Sequence, residues 1–361
     1  MGDLSCFSGD YRASRAKFLK NVVACGGQVT SYLNAGAVGP TGEALYVDVG
    51  TVGQRNAPRS LLMISGVHGT EAIISTGLLN DFLTSPLVSA LPPDMNAILV
   101  HALNPWGMAH QLRTTENNVD LNRNFIDFAA GLPSNPVYSE LHPLLCAADV
   151  ESAATQLKTA LAPGDRAATS RVDAIMRGQY EYPDGVNFGG HREEWSNSAF
   201  RSLVAAHLSA ARHVACIDWH TGIGRFAEPV PLAFHTPGTP SAQALSKWYK
   251  KDVTLIERHF PGGEAPRFAG ILTMALPQML PDAQTYAVVV EFGTKANADV
   301  LSALMIDRWL RFSADRTSPR SLRLRATISE CFSPTNDQWR HAVLDSARQI
   351  AERTVAGLSS V

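Results

Sequence analysis

The chain has 361 residues, of which 45% are hydrophobic and 18% charged, and 31 Lys and Arg against 33 Asp and Glu leave a formal net charge of −2. This length and composition can bury a large core and exclude disordered and fibrous classes, while the dispersal of the basic residues excludes the stripe that a nucleic-acid binder shows. Five cysteines, Cys6, Cys25, Cys146, Cys216 and Cys331, are odd in number, far apart and never in a CxxC pair, so neither a disulfide framework nor a cysteine zinc site is indicated.

Apolar runs bounded by turn residues predict strands at 44–52 and 60–65, followed by a helical pattern at 71–83 and a strand at 96–103. Residues 128–190 break the alternation with many prolines and glycines, carry helical patterns at 147–162 and 165–177, and read as an insertion over one sheet edge. A helix at 195–211, strands at 214–219 and 231–235, a helix at 242–259, a strand at 286–292 and a helix at 298–312 complete the alternation, and 335–358 predicts a closing amphipathic helix. Most of these strands are apolar on both faces, which is how strands covered by helices on two sides read. The expected fold class is therefore α/β, a three-layer α/β/α sandwich around a mixed, mostly parallel sheet, in one domain over residues 1–361. No stretch reaches the ~20 apolar residues that span a bilayer, and residues 1–20 lack the basic head and apolar segment of a signal peptide. A soluble cytoplasmic protein without a membrane partner is expected, of open oligomeric state.

Four polar clusters follow predicted strands. The first is Ser65-Gly-Val-His68-Gly-Thr-Glu71, where a His three residues ahead of a Glu at a strand-to-helix turn can aim both side chains at one point. Imidazole and carboxylate suit Zn²⁺, although this spacing is common by chance. His191 and Glu194 share it, yet they follow the loop at 185–190 and read as the solvated start of an exposed helix. The second cluster runs from Asn104-Pro-Trp-Gly through Arg113 to Asp120-Leu-Asn122-Arg123-Asn-Phe125, where two arginine forks and an amide can receive a carboxylate, or simply make surface ion pairs.

The third is Cys216-Ile-Asp218-Trp-His220-Thr-Gly, which puts His220 where a third ligand is needed or leaves it a satisfied structural histidine. Asp218, two residues earlier on the same strand face, can orient an imidazole, and the sequence leaves open which one. The fourth is Ala287-Val-Val-Val-Glu291-Phe-Gly, an acid ending a run of apolar residues, suited to a general base or to a cap or an exposed edge.

In this order the four clusters resemble the zinc carboxypeptidase superfamily, including its aspartoacylase and succinylglutamate desuccinylase relatives. Phe7-Ser-Gly-Asp-Tyr11 with Arg15 and Phe18, the turn Pro40-Thr-Gly-Glu43 and the stretch 183–195 are similar to a bacterial branch known as a domain of unknown function. The resemblance implies that His68, Glu71 and His220 hold Zn²⁺ and that Glu291 moves the proton. It further implies that Arg113 stabilises the oxyanion, and that Asn122 and Arg123 hold the carboxylate of a small-molecule or short-peptide substrate. Digestive-type carboxypeptidases carry a tyrosine on a loop before the catalytic glutamate, and 267–281 contains none, which favours a small-molecule deacylase relative. The expected activity is hydrolysis of an amide bond adjacent to a carboxylate, with an N-acyl amino acid deacylase and a non-catalytic carboxylate-binding protein as alternatives. A serine or cysteine hydrolase lacks its nucleophile elbow here.

Overall fold

The computed structural model describes residues 3–162, 166–250, 253–255, 268–313 and 315–361. Among the described residues eight strands, β1 (Gln28–Val38), β2 (Ala44–Gly53), β3 (Arg59–Ile64), β4 (Met95–His101), β5 (His213–Thr221), β6 (Pro229–Ala233), β7 (Thr254–Leu255) and β8 (Gln284–Phe292), form one sheet in the order β1-β2-β4-β3-β5-β8-β6-β7. Its centre, β4-β3-β5-β8, is parallel, whereas β1, β2 and β6 join by antiparallel pairing and β7 pairs parallel to β6. The expected mixed, mostly parallel sheet is thus present.

The helices in chain order are α1 (Tyr11–Ala24), α2 (Ala72–Thr84), α3 (Pro86–Ser89), α4 (Pro105–His110), α5 (Pro136–Leu145), α6 (Val150–Ala160), α7 (Arg166–Arg177), α8 (Trp195–Leu208), α9 (Pro240–Tyr249), α10 (Leu272–Met279), α11 (Asn297–Phe312), α12 (Pro319–Phe332) and α13 (Asp337–Ser359). Alternation along the strands splits the core in two. Leu61 and Met63 of β3 pack with Phe18, Leu79, Leu245 and Leu344 from α1, α2, α9 and α13, whereas Leu62 and Ile64 pack with Phe200 and Leu276 from α8 and α10. Central strands buried on both faces are the physical source of the uninterrupted apolar runs. Among the described residues no helix is long and apolar enough to cross a membrane.

Several expectations are corrected. The helix expected over 242–259 stops at Tyr249, after which Lys250 takes a positive φ and Thr254–Leu255 pair as a strand; 256–259 lie outside the described residues. The insertion does not lie over an edge strand. Its helices α5, α6 and α7 bury Tyr138, Leu157 and Ile175 against Leu301, Met305 and Ile328 of α11 and α12, in a cluster that, among the described residues, holds no strand residue. The edge strand β1 is mostly solvent-exposed and offers an amphipathic helix no apolar face. Helix α1 and strand β1 escape the periodicity search. The sequence does carry one signal for α1, Asp10, whose side chain caps the helix at Ala13 N.

Candidate metal centre

The chemistry-bearing side chains gather beyond the carboxyl ends of the parallel strands, where open α/β sheets place their ligands. β3 ends at Ile64 and delivers His68, then a tight turn over Gly69–Glu71 that leads into α2. His220 lies near the end of β5 and Glu291 near the end of β8. Their Cα atoms are registered partners, and residues paired in this way point to one face of the sheet. β4 feeds the loop in which Asn104 caps α4 by accepting from Gly107 N, and that loop continues to Arg113 and Asp120. The first ligand turn is fixed by backbone contact. A Cβ on Gly69 would fall 2.0 Å from the Gly107 carbonyl carbon and 2.2 Å from Leu112 O, and its N–H donates to Arg113 O at 3.1 Å.

His68, Glu71 and His220 each direct one donor atom to a common point, with those atoms within 4.8 Å of one another and all three residues buried. His68 Nδ1 is 2.9 Å from Glu71 Oε1, and His220 Nδ1 is 3.0 Å from Glu71 Oε2, which also accepts from Thr221 N. The far side of each ring meets a carboxylate. His68 Nε2 is 3.0 Å from Asp120 Oδ1, and His220 Nε2 is 2.9 Å from Asp218 Oδ2. Asp218 therefore faces His220, the imidazole two residues along its own strand.

This donor set fits a divalent zinc ion. Carboxylates behind both rings favour the Nε2–H tautomer and turn both Nδ1 lone pairs toward Glu71, an arrangement of acceptors that a cation satisfies and that otherwise demands a proton. His220 shows that demand: burial opposes its charging, but Asp218 and Glu71 outweigh burial and hold its pKa well above the usual histidine range. Burial likewise opposes ionisation of Glu71, and the two histidines overcome it and hold the carboxyl well below its ordinary value.

Asp120 is the residue that sequence reasoning missed as a contributor. It accepts from Arg113 Nη2 through Oδ2 at 3.0 Å while facing His68 through Oδ1, so it ties ligand and arginine together. Asp120→Asn is expected to weaken zinc binding about 10- to 100-fold with the fold intact. Competition against a chromogenic chelator measures this, and an unchanged affinity would remove Asp120 from the centre.

Arg113 is buried, donates Nη1 to Glu71 Oε1 at 3.0 Å, and keeps a buried Nε–H without a partner among the described residues. Asn122 Oδ1 accepts from Leu272 N at 3.0 Å, and its Nδ2 stands 3.2 Å from His220 Nε2, whose proton is directed to Asp218. Arg123 donates Nε to Arg177 O at 2.9 Å and Nη1 to Asn122 O at 2.6 Å, and its Nη2 donates to Met176 O. Both residues line the cavity, and of the five N–H groups of Arg123 two hold the end of α7 and a third the carbonyl of Asn122. Glu291 accepts from Ile223 N at 3.4 Å, and its pKa is pushed up to about 7, chiefly by burial, with Glu71 adding to the rise and His220 opposing it.

His191 and Glu194 take no part in this centre, and Glu194 is not solvated as its sequence context suggests. It is buried against Thr115 and Asn117 because α8 is a core helix rather than an exposed one. Tyr286 stands at the opposite end of the sheet, its hydroxyl 3.2 Å from His213 Nδ1.

The candidate ligands line, with Arg113, Asn122, Arg123 and Glu291, a cavity of about 90 Å³ that also has an apolar wall including Leu232, Phe234, Phe268, Ile271, Val289 and Leu304. Met176 and Asn187 bring the insertion into its lining.

Among solved structures, the chain is similar to carboxypeptidase A from Helicoverpa armigera, at 14% identity and a TM-score of 0.44 over 90% of this chain and 74% of that one. It is also similar to a metallo-carboxypeptidase from Pseudomonas aeruginosa, at 14% identity and a TM-score of 0.44 over 92% and 68% of the two chains. A candidate succinylglutamate desuccinylase/aspartoacylase family protein from Shewanella amazonensis SB2B shows 18% identity and a TM-score of 0.38 over 78% and 72%. No curated protein matches the sequence. The family model described as "Protein of unknown function (DUF2817)" matches residues 7–346, and the chain belongs to that family.

Proposed function

We propose that this chain is a zinc-dependent hydrolase that cleaves an amide bond adjacent to a carboxylate, in the manner of a metallocarboxypeptidase. The observation that carries this reading is the convergence of His68, Glu71 and His220 within 4.8 Å at strand ends, with Glu291 in register beside His220. A bound Zn²⁺ would supply Lewis acidity and a water acidified to a pKa of about 7. Glu291 takes the proton of the attacking water and returns it to the leaving amine; a carboxyl raised to about 7 is matched to both transfers near neutrality. Arg113, which lines the cavity, is assigned to the developing oxyanion. The two N–H groups of Arg123 not given to backbone carbonyls, beside Asn122, are assigned to the substrate carboxylate, which sets the register of the neighbouring amide.

An N-acyl amino acid deacylase would use the same groups, and one observation bears on the choice of side chain. Among the described residues, the ionisable groups lining the cavity all belong to the machinery above, so an acidic side chain or acyl group would lose its hydration without gaining a partner. Zinc-loaded protein should therefore hydrolyse blocked dipeptides or N-acyl amino acids bearing Leu or Phe with kcat/KM about 100-fold above their Asp counterparts, and should fail on the carboxamide analogues. A panel of paired substrates measures this. Binding without turnover across the panel would instead support a carboxylate-binding protein.

A further inference from the structure

Outside the catalytic cavity, His142, Cys146 and Asp184 also bring one donor atom each within 4.8 Å of one another. His142 lies in the last turn of α5 and Cys146, four residues on, caps that helix, and Asp184 follows from the loop after α7. We infer that this cluster is a second divalent-cation site, a Zn²⁺ centre with nitrogen, sulfur and oxygen ligands and a fourth position left to water, which fastens α5 to the loop around Asp184.

The His142–Cys146 pair has the spacing of two ligands of one ion. Cys146 Sγ is 3.5 Å from His142 Nδ1, about the ligand-to-ligand edge expected of a tetrahedron with Zn–S near 2.3 Å and Zn–N near 2.0 Å. An ion uses one imidazole nitrogen, and Nδ1 is the one beside the thiol. Asp184 Oδ1 stands 3.7 Å from Nε2 of the same ring, and the Asp184 side chain is 53% exposed, so bringing Oδ1 to the ion takes a rotation of the carboxylate about its contact with Arg308.

The surroundings orient these groups as outer partners orient metal ligands. Arg308 donates Nε to Asp184 O at 2.6 Å, Nη2 to Asp184 Oδ2 at 3.0 Å and Nη1 to Cys146 O at 3.2 Å, so one guanidinium holds both ligand-bearing segments and leaves Oδ1 uncommitted. The Tyr182 ring stacks on His142 with centroids 3.9 Å apart and fixes the imidazole plane. A sulfur, nitrogen and oxygen set selects zinc over magnesium or calcium. Binding forms the metal–sulfur bond as the thiol releases its proton to solvent. The site escapes a search for CxxC pairs because its cysteine is partnered by a histidine one helical turn away and by a loop carboxylate.

The consequence reaches the first cavity. The residues after Asp184 run to Asn187, whose Nδ2 donates to Ile175 O of α7 and which lines the cavity with Met176. An ion at Asp184 would brace that wall from behind.

Cobalt reads the two centres separately, because the first has no sulfur ligand and only the second can give a thiolate-to-Co²⁺ charge-transfer band. The full chain saturated with Co²⁺ should bind about two ions and show that band. Cys146→Ser should lose the band and about one ion, whereas His220→Ala should keep the band. Asp184→Asn, at an exposed position, should lower the Co²⁺ affinity read by the same band. A folded wild-type protein without the band, a band that persists in Cys146→Ser, or an unchanged affinity in Asp184→Asn would overturn the assignment.

Discussion

Glu291→Gln is expected to leave zinc at full occupancy while kcat falls by about 10²- to 10⁴-fold, the range that general acid–base catalysis supplies. The substitution keeps the shape of the side chain and an acceptor for the Ile223 N–H, and removes the group that can carry a proton. The effect is large because nothing nearby can replace it. Asp218 and Asp120 face the outer nitrogens of the two histidines, and Glu71 is occupied by Arg113, Thr221 and both rings. Elemental analysis beside steady-state kinetics gives the answer. Loss of metal in parallel with activity would move Glu291 into the ligand set and leave the reaction without its base.

His220→Ala should behave differently, losing stoichiometric zinc and activity together. Removing a ligand should weaken the metal by more than the roughly 100-fold that marks the upper effect of an outer partner. It also strands Asp218, which is fully buried and has His220 Nε2 beside it, so the variant should be less stable as well. Circular dichroism at a temperature below its melting transition separates the two losses. A folded variant that retains one zinc in the first centre, measured with Cys146→Ser in the background, would contradict the assignment of His220. The contrast with Glu291→Gln is the sharper test, since two registered neighbours on adjacent strands should divide cleanly into one that holds the ion and one that moves protons.

How far the molecule could be read from its residues depended on which physical signal each element carried. The parallel strands were legible because burial on both faces leaves unbroken apolar runs, and His68, His220 and Glu291 stood out because a polar group ending such a run is costly unless it has a task. Their convergence was an inference from order along the chain, since strand adjacency is set by long-range pairing that local patterns do not encode. β1 and α1 were invisible for the opposite reason, one being an exposed edge strand and the other a helix of weak amphipathicity. Asp120 was quoted within a motif yet hidden as a contributor. Its role depends on a loop that brings it to His68 from 52 positions away, a contact with no periodic trace in the sequence. The partner of Asp218 was equally unreadable, although the i, i+2 spacing restricted it to the correct face of the strand.

The tight seat of Gly69 against α4 has a practical corollary for reshaping this protein. The turn at Gly69 is backbone resting on backbone, so it tolerates no added carbon and fixes the ion-holding segment as an invariant template. The apolar bank of the cavity, from Leu232 and Phe234 to Ile271 and Val289, lies on other segments of the chain. Selection for new acyl preferences in a directed-evolution library is best concentrated on that bank, where changes of size or polarity leave the turn that carries His68 and Glu71 unaltered.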